Sequence, residues 1–107
     1  MSTEDPAQSA AHAGGTTSDI PVEPQSLEWM RRLVAIPSIS GTSNLGVIEL
    51  IEAEFARYGY AGQRTYNADQ TRANLWVTVP AADGSTEGGI VISGHTDVVP
   101  VEGQTWD

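Results

Sequence analysis

Residues 44–60 read NLGVIELIEAEFARYGY, and this stretch carries the clearest structural pattern of the chain. Asn44 can cap a helix, because a short polar side chain satisfies backbone N–H groups that are free in the first turn. Gly59 suits the left-handed residue that ends many helices, and Tyr60 can pack back on Phe55 in a Schellman-type closure. The apolar residues recur at helical spacing as one stripe: Val47, Ile48, Ile51, Phe55 and Tyr58. The stretch predicts an amphipathic helix whose apolar side needs a partner.

A second helix is predicted immediately upstream. Ser26 fits an N-cap, and apolar residues follow at helical spacing: Leu27, Met30, Leu33 and Val34. Glu28 near the start, with Arg31 and Arg32 near the end, suits the helix dipole. Pro37 ends this helix, because the residue before a proline is pushed out of the helical region. Residues 38–43 are turn formers and predict a loop.

Residues 1–25 differ in composition from the rest of the chain. They are rich in Ala, Ser, Thr, Gly, Gln and Pro, with four acidic residues and no basic one. So little apolar surface cannot offset the entropy of ordering the chain. We therefore predict a disordered acidic tail over 1–25, in which His12 is a solvated side chain, and an ordered region over 26–107.

Composition also bears on the function class. The chain has 107 residues, 14 of them acidic and 5 basic, with a formal net charge of −9 and no cysteine. Without cysteine there is no disulfide, no thiolate ligand for zinc and no cysteine nucleophile. The acidic charge disfavours nucleic acid as a partner, and no apolar run is long enough for a membrane helix. The start of the chain has neither the basic nor the apolar region of a secretory signal. We expect a cytoplasmic protein that binds neither membrane nor nucleic acid.

Three strands are predicted downstream of the helices. Residues 63–66 form a weak candidate, and residues 74–79 form a strong one with β-branched and aromatic content. Ile90–Ser93 is a short continuous apolar run, which is typical of a central strand covered on both faces. A polar, glycine-rich loop over 80–89 separates the last two strands. Two helices followed by strands predict an α/β layer fold.

The chemistry-bearing residues follow the third predicted strand, in the run SGHTDVVP over 93–100. In open α/β sheets, sites form beyond the carboxyl ends of strands, which is where His95 stands. In extended chain His95 and Asp97 point to the same side. An imidazole can bind a metal ion through one nitrogen while a carboxylate holds its other N–H. Neighbouring apolar residues are expected to keep the spot dry; these are Val91, Ile92, Val98 and Val99.

Other interpretations of these residues remain open. His95 can equally be a satisfied histidine at a strand end, and Asp97 can cap a turn. Ser93 and Ser38 lack the glycine pattern of a nucleophile elbow, and no glycine-rich segment has the lysine of a phosphate loop. Three helical carboxylates are expected to form a solvated face: Glu49, Glu52 and Glu54.

The motifs together resemble those of the M20 metallopeptidase family. The run LVAIPSIS over 33–40 is similar to the opening of that family. The segments SNL at 43–45, ANL at 73–75 and SGHTDVVPV at 93–101, with Trp106, are similar to its acetylornithine deacetylases. The resemblance runs through residues 27–107.

The resemblance implies the N-terminal part of a three-layer catalytic domain of a zinc hydrolase. It implies a hydrolase with two zinc ions, or cobalt in their place, whose bound water attacks an amide carbonyl. His95 matches a metal ligand of the family, and Asp97 matches the catalytic aspartate that orients it. The substrate implied is N-acetylornithine, cleaved to ornithine and acetate in arginine biosynthesis. The family's dimer is not supported for this segment alone.

The family's remaining ligands and its general base follow the histidine's strand, beyond Trp106 and Asp107. Since a catalytic zinc normally has three protein ligands, we expect residues 1–107 alone to be inactive, to bind zinc weakly and to be partly molten or aggregating. Two alternatives remain open. One is another M20 hydrolase, such as a succinyl-diaminopimelate desuccinylase, a carboxypeptidase or an aminoacylase. The other is a non-catalytic acidic α/β interaction module.

Overall fold

The computed structural model describes residues 23–105, and two helices precede two strands in that range. The helices are α1 (Pro24–Val34) and α2 (Leu45–Arg57), and the strands are β1 (Gly62–Tyr66) and β2 (Ala73–Val77). This order confirms the predicted α/β segment. The predicted tail, apart from its last three residues, lies outside the described residues, as does Trp106. Within 23–105, no helix combines the length and the apolar character that crossing a membrane requires.

The first helix begins earlier than its sequence pattern predicts. Its N-cap is Glu23, whose carboxylate accepts a hydrogen bond from the Ser26 backbone N–H at 3.1 Å. Pro24 occupies the first helical position, where its fixed φ fits and its missing N–H costs nothing. The prediction that Ser26 caps the helix is therefore wrong, because Glu23 is the N-cap and Ser26 lies inside the first turn, where its own backbone N–H is the capped donor. The guanidinium carbon of Arg32 lies 4.4 Å from the centre of the Trp29 ring.

The second helix ends as its sequence predicts. The Tyr60 N–H donates to the Phe55 carbonyl at 3.1 Å, and the Gly59 N–H donates to the Ala56 carbonyl at 3.0 Å. Gly59 has a φ of +85°, which any other L-residue would adopt at a cost. The two bonds and the left-handed glycine define a Schellman motif.

The two strands form an antiparallel hairpin that packs against α2. Its register pairs Gly62 with Val77 and Tyr66 with Ala73. The most buried apolar side chains of the described residues lie at this contact: Val47, Ile48 and Ala73. The helix and the hairpin are also joined by an ion pair, since Arg64 Nε donates to Glu52 Oε2 at 2.9 Å and Arg64 Nη2 contacts the same oxygen. The prediction of a solvated face is therefore wrong for Glu52, whereas Glu49 is exposed. Glu54 is half-buried and pairs with Arg57 at 2.8 Å.

The third predicted strand is not formed. Residues 90–93 have no strand structure, and the side chains of Ile90 and Ile92 are 91% and 94% exposed. A strand exists only through a neighbour, and no backbone hydrogen bond between described residues involves 90–95. Backbone pairing resumes after this segment, where Val98 makes an isolated parallel bridge with Ile39.

Candidate functional site

The imidazole of His95 is held at one nitrogen only. Its Nδ1 lies 3.1 Å from Oδ1 of Asp97 and 3.0 Å from the Asp97 backbone carbonyl. Both contacts are acceptors, so the proton of a neutral ring is placed on Nδ1. No described residue hydrogen-bonds to Nε2, and the side chain is 86% exposed. The second nitrogen therefore presents its lone pair to the surroundings.

The carboxylate of Asp97 is held at both oxygens. While Oδ1 faces His95, Oδ2 accepts a hydrogen bond from the Ser40 hydroxyl at 2.7 Å. The Ser40 hydroxyl first, and the His95 imidazole second, lower the pKa of the Asp97 carboxyl below its ordinary value. A carboxylate that accepts hydrogen bonds at both oxygens is stabilised in its charged form, which is the form that orients an imidazole.

The loop that carries these residues is fastened to the loop between the helices. The Ser40 N–H donates to the Val98 carbonyl at 2.8 Å, and the Val98 N–H donates to the Ser38 carbonyl at 3.0 Å. The hydroxyl of Ser38, a residue only 5% exposed, donates to the Thr96 carbonyl at 2.6 Å. Residues 38–40 thus clamp the backbone on either side of Asp97.

Asn44 connects this clamp to the hairpin. Its side-chain amide exchanges two hydrogen bonds with the backbone of Ala73, at 2.9 and 3.0 Å, and donates to the Thr96 hydroxyl at 3.0 Å. Asn44 is at the N-cap position as predicted, but its side chain makes no capping bond. Its amide instead joins the starts of α2 and β2 to the loop of His95.

The structure brings the two predicted site residues together and adds four that the sequence did not reveal: Ser38, Ser40, Asn44 and Thr96. The sequence predicts a turn at Ser40 and a helix cap at Asn44, which are the common local roles of these residue types. Their partners lie between 29 and 58 positions away. The polar run over 38–44 was the only signal, and it does not specify a partner.

The surroundings of His95 are more open than predicted. The four apolar neighbours do not keep the imidazole dry, because all are exposed: Val91 70%, Ile92 94%, Val98 53% and Val99 70%. The expectation of a dry spot is therefore wrong, and for Val91 and Ile92 the reason is that the predicted strand to which they belong is not formed. His95 and Asp97 instead lie in an open concavity that also contacts α2 and the start of β2.

The described residues do not by themselves fit a complete zinc site. Nowhere in 23–105 do three His, Cys, Asp or Glu side chains converge on one point. His95 offers one nitrogen, whereas a catalytic zinc takes three protein ligands and keeps one position open. The arrangement can therefore supply one ligand and the carboxylate that orients it, and no hydrolytic step follows from these residues alone.

Comparison with known proteins identifies a group of relatives. The acetylornithine deacetylase of Erwinia tasmaniensis is 32% identical over 90 residues, which are 78% of this chain and 22% of that protein. The proteins of the same name from Salmonella arizonae and Salmonella newport are 32% identical over 92 residues, which are 79% of this chain and 23% of theirs. No family model matches the chain, and no solved structure matches it.

These relatives confirm the resemblance to the M20 metallopeptidase family. The similarity is to proteins named acetylornithine deacetylase. The chain spans less than a quarter of the length of the curated relatives it matches, with 22% to 23% of each covered.

Proposed function

We propose that this chain supplies one metal ligand, His95, and its orienting carboxylate, Asp97, to a metal-dependent amidohydrolase of the acetylornithine deacetylase type. The reaction is the hydrolysis of N-acetylornithine to ornithine and acetate, in the cytoplasm and as a step of arginine biosynthesis. The observation that carries the proposal is the geometry of His95, with Nδ1 held by Asp97 and Nε2 free and exposed.

The role of each residue follows from this geometry. Nε2 of His95 would bind the metal, zinc or in its place cobalt, and Asp97 keeps the proton on Nδ1 and raises the basicity of the ring. When bound, the metal supplies polarisation of the amide carbonyl and a water that is easily deprotonated. The other ligands and the general base are not among the described residues, so we propose that residues 1–107 alone are inactive.

Zinc titration of the purified 107-residue chain tests the first part of the proposal. We expect binding far weaker than the ~10–16 kcal/mol of four-ligand structural zinc sites. The variant His95→Ala should remove what binding there is, whereas His12→Ala should leave it unchanged. Equal losses in the two variants would show that the chain binds zinc through histidines without regard to their setting. Hydrolysis of N-acetylornithine by residues 1–107 would contradict the proposed inactivity.

The second part is tested in a chimera, because the catalytic role needs the complete ligand set. The 92-residue segment of an acetylornithine deacetylase that matches this chain is replaced by the corresponding residues of the chain. We expect the chimera to hydrolyse N-acetylornithine and His95→Ala to abolish hydrolysis, with Thr86→Ala in the 80–89 loop as the neutral control. Zinc content and circular dichroism show whether each chimera is folded. A folded chimera that keeps its activity without His95 would refute the ligand role.

The substrate is tested separately, since the chimera inherits its specificity from the host enzyme. Sequencing the gene past codon 107 shows whether the reading frame continues into further acidic and histidine ligands. The encoded protein is then assayed with N-acetylornithine, N-succinyl-diaminopimelate and a dipeptide. Preference for either of the last two would replace deacetylation with another M20 reaction. A stop codon directly after codon 107 would contradict an enzymatic role and favour an interaction module.

A further inference from the structure

We propose that Ser40 is a positioning residue, whose hydroxyl fixes the Asp97 carboxylate and thereby holds the His95 imidazole with its proton on Nδ1. The arrangement itself is independent of catalysis. Its purpose rests on the proposed function, since a fixed tautomer matters only where Nε2 has a ligand to bind.

The first step of the argument is that each carboxylate oxygen of Asp97 has its own partner. Oδ1 lies 3.1 Å from Nδ1 of His95, and Oδ2 lies 2.7 Å from the Ser40 hydroxyl. Rotation of the carboxylate about its Cβ–Cγ bond would break both contacts together. Ser40 therefore determines which way the oxygen that faces the imidazole points.

The second step concerns the single proton of the Ser40 hydroxyl, which has two acceptors within reach. The Asp97 carboxylate is at 2.7 Å and the Val98 carbonyl is at 3.3 Å. The shorter bond goes to a charged acceptor, and charge-assisted bonds are about twice as strong as neutral ones. The Val98 carbonyl already accepts the Ser40 N–H at 2.8 Å. The hydroxyl proton therefore goes to Asp97.

The third step is that Ser40 is itself held in place. Its backbone is bonded to Val98, and the Val98 N–H returns to the Ser38 carbonyl at 3.0 Å. The hydroxyl of Ser40 is thus carried by a backbone segment that is hydrogen-bonded to Val98, the residue after Asp97. By contrast, the side chains of His95 and Asp97 are 86% and 58% exposed. Solvent competes for both of them, so this polar contact is needed to keep their geometry.

Nitrogen-15 NMR of the histidine side chains tests the proposal in the 107-residue chain without metal. Long-range proton–nitrogen spectra at alkaline pH distinguish Nδ1–H from Nε2–H imidazoles. We expect His95 to be mainly Nδ1–H. In Ser40→Ala the ratio of Nδ1–H to Nε2–H should fall roughly two- to tenfold, the effect of losing one net hydrogen bond. His12, the other histidine of the chain, supplies an internal reference in every spectrum.

Two matched variants separate positioning from a general loss of structure. Ser40→Thr keeps a hydroxyl on the same backbone and should restore the ratio, while Thr86→Ala should not change it. An unchanged ratio in Ser40→Ala would overturn the proposal. So would a wild-type His95 with the same tautomer ratio as His12, since the network would then not operate in solution.

The same variants distinguish this inference from the proposed function. In the chimera described above, Ser40→Ala should lower kcat/KM and Ser40→Thr should restore it. If the tautomer responds to Ser40 but His95→Ala leaves a folded chimera active, the positioning inference holds and the proposed ligand role fails. If His95 is essential but its tautomer ratio does not change in Ser40→Ala, the ligand role holds and the positioning inference fails.

Discussion

At the scale of single residues, the site shows how a solvent-exposed imidazole can still be ordered. His95 is 86% exposed, so burial does not fix its ring. Two successive polar contacts order the ring. The Ser40 hydroxyl, on a hydrogen-bonded backbone, contacts Asp97, and Asp97 contacts Nδ1 of His95. Each bond in water contributes little by itself. Their value is geometric, because they leave one nitrogen free and determine which one it is.

The first prediction concerns Asp97→Asn in the chimeric enzyme. An asparagine keeps the shape of the side chain but removes the charge that raises the basicity of the imidazole. Loss of such a partner typically costs about 10–100-fold in metal affinity or activity. We expect a decrease of that size in kcat/KM, measured with N-acetylornithine. Asp83→Asn, which alters a carboxylate that only accepts the Ser85 N–H, is the matched control. Equal effects of the two variants would contradict the assigned role.

At the scale of elements, the hairpin depends on the loop between its strands. Gln70 is the only non-glycine residue with positive φ among the described residues, at +58°. Its N–H donates to the Asn67 carbonyl at 3.1 Å, and the Asn67 N–H donates to the Arg72 carbonyl at 3.0 Å. The loop therefore reverses the chain at the cost of one left-handed residue.

The second prediction is that Gln70→Gly stabilises the hairpin by up to about 1 kcal/mol. Glycine adopts the left-handed region without the cost that a side chain brings, and the gain is reduced by its greater freedom when unfolded. Hydrogen exchange of the β1 and β2 amides measures the effect. Ala68→Gly, at a position without positive φ, is the control and should weaken protection. Weaker protection in Gln70→Gly as well would show that the left-handed conformation is not retained in solution.

The third prediction concerns the pH dependence of the same loop. Oδ1 of Asp69 accepts the Thr71 hydroxyl at 2.6 Å and the Thr71 N–H at 3.2 Å, and these bonds lower the pKa of Asp69. Because folding lowers the pKa of Asp69, its ionised carboxylate stabilises the loop at pH values above the unfolded pKa of about 3.9. This contribution is lost as the pH falls through the lower pKa of the folded state. NMR shifts of the Thr71 amide should report loosening in acid. The amide should lose this acid response in Asp69→Asn.

What the sequence could predict was determined by the range of each interaction. The Schellman motif at Phe55, Gly59 and Tyr60 is closed within six residues, so a local pattern contains all of it. The partnership of His95 with Asp97 also lies within one short motif. The bond from Ser40 to Asp97 spans 57 positions, and the bond from Asn44 to Thr96 spans 52. Nothing local to Ser40 or Asn44 specifies these partners.

At the scale of the whole molecule, the described residues divide into a packed part and an open part. The helix α2 packs on the hairpin around Val47, Ile48 and Ala73, and the Arg64–Glu52 ion pair joins the two. Residues 90–95 make no backbone hydrogen bonds to other described residues, yet Ile90 and Ile92 are among the most exposed large apolar side chains. Residues 90–93 thus have a sequence pattern that is typical of a central strand, but no described strand pairs with them.

The fourth prediction follows from this division. An exposed apolar segment with unpaired backbone groups invites association, so the 107-residue chain should bind hydrophobic dyes and self-associate. The double variant Ile90→Ser and Ile92→Ser should lower both dye fluorescence and the associated fraction, measured by light scattering. Hydrogen exchange in α2 and the hairpin should stay unchanged, because neither isoleucine contributes to their contact. Val79→Ser, which removes an apolar group 55% exposed, should have a much smaller effect. A monodisperse wild-type monomer with a cooperative melt would instead show that residues 90–93 are covered in solution.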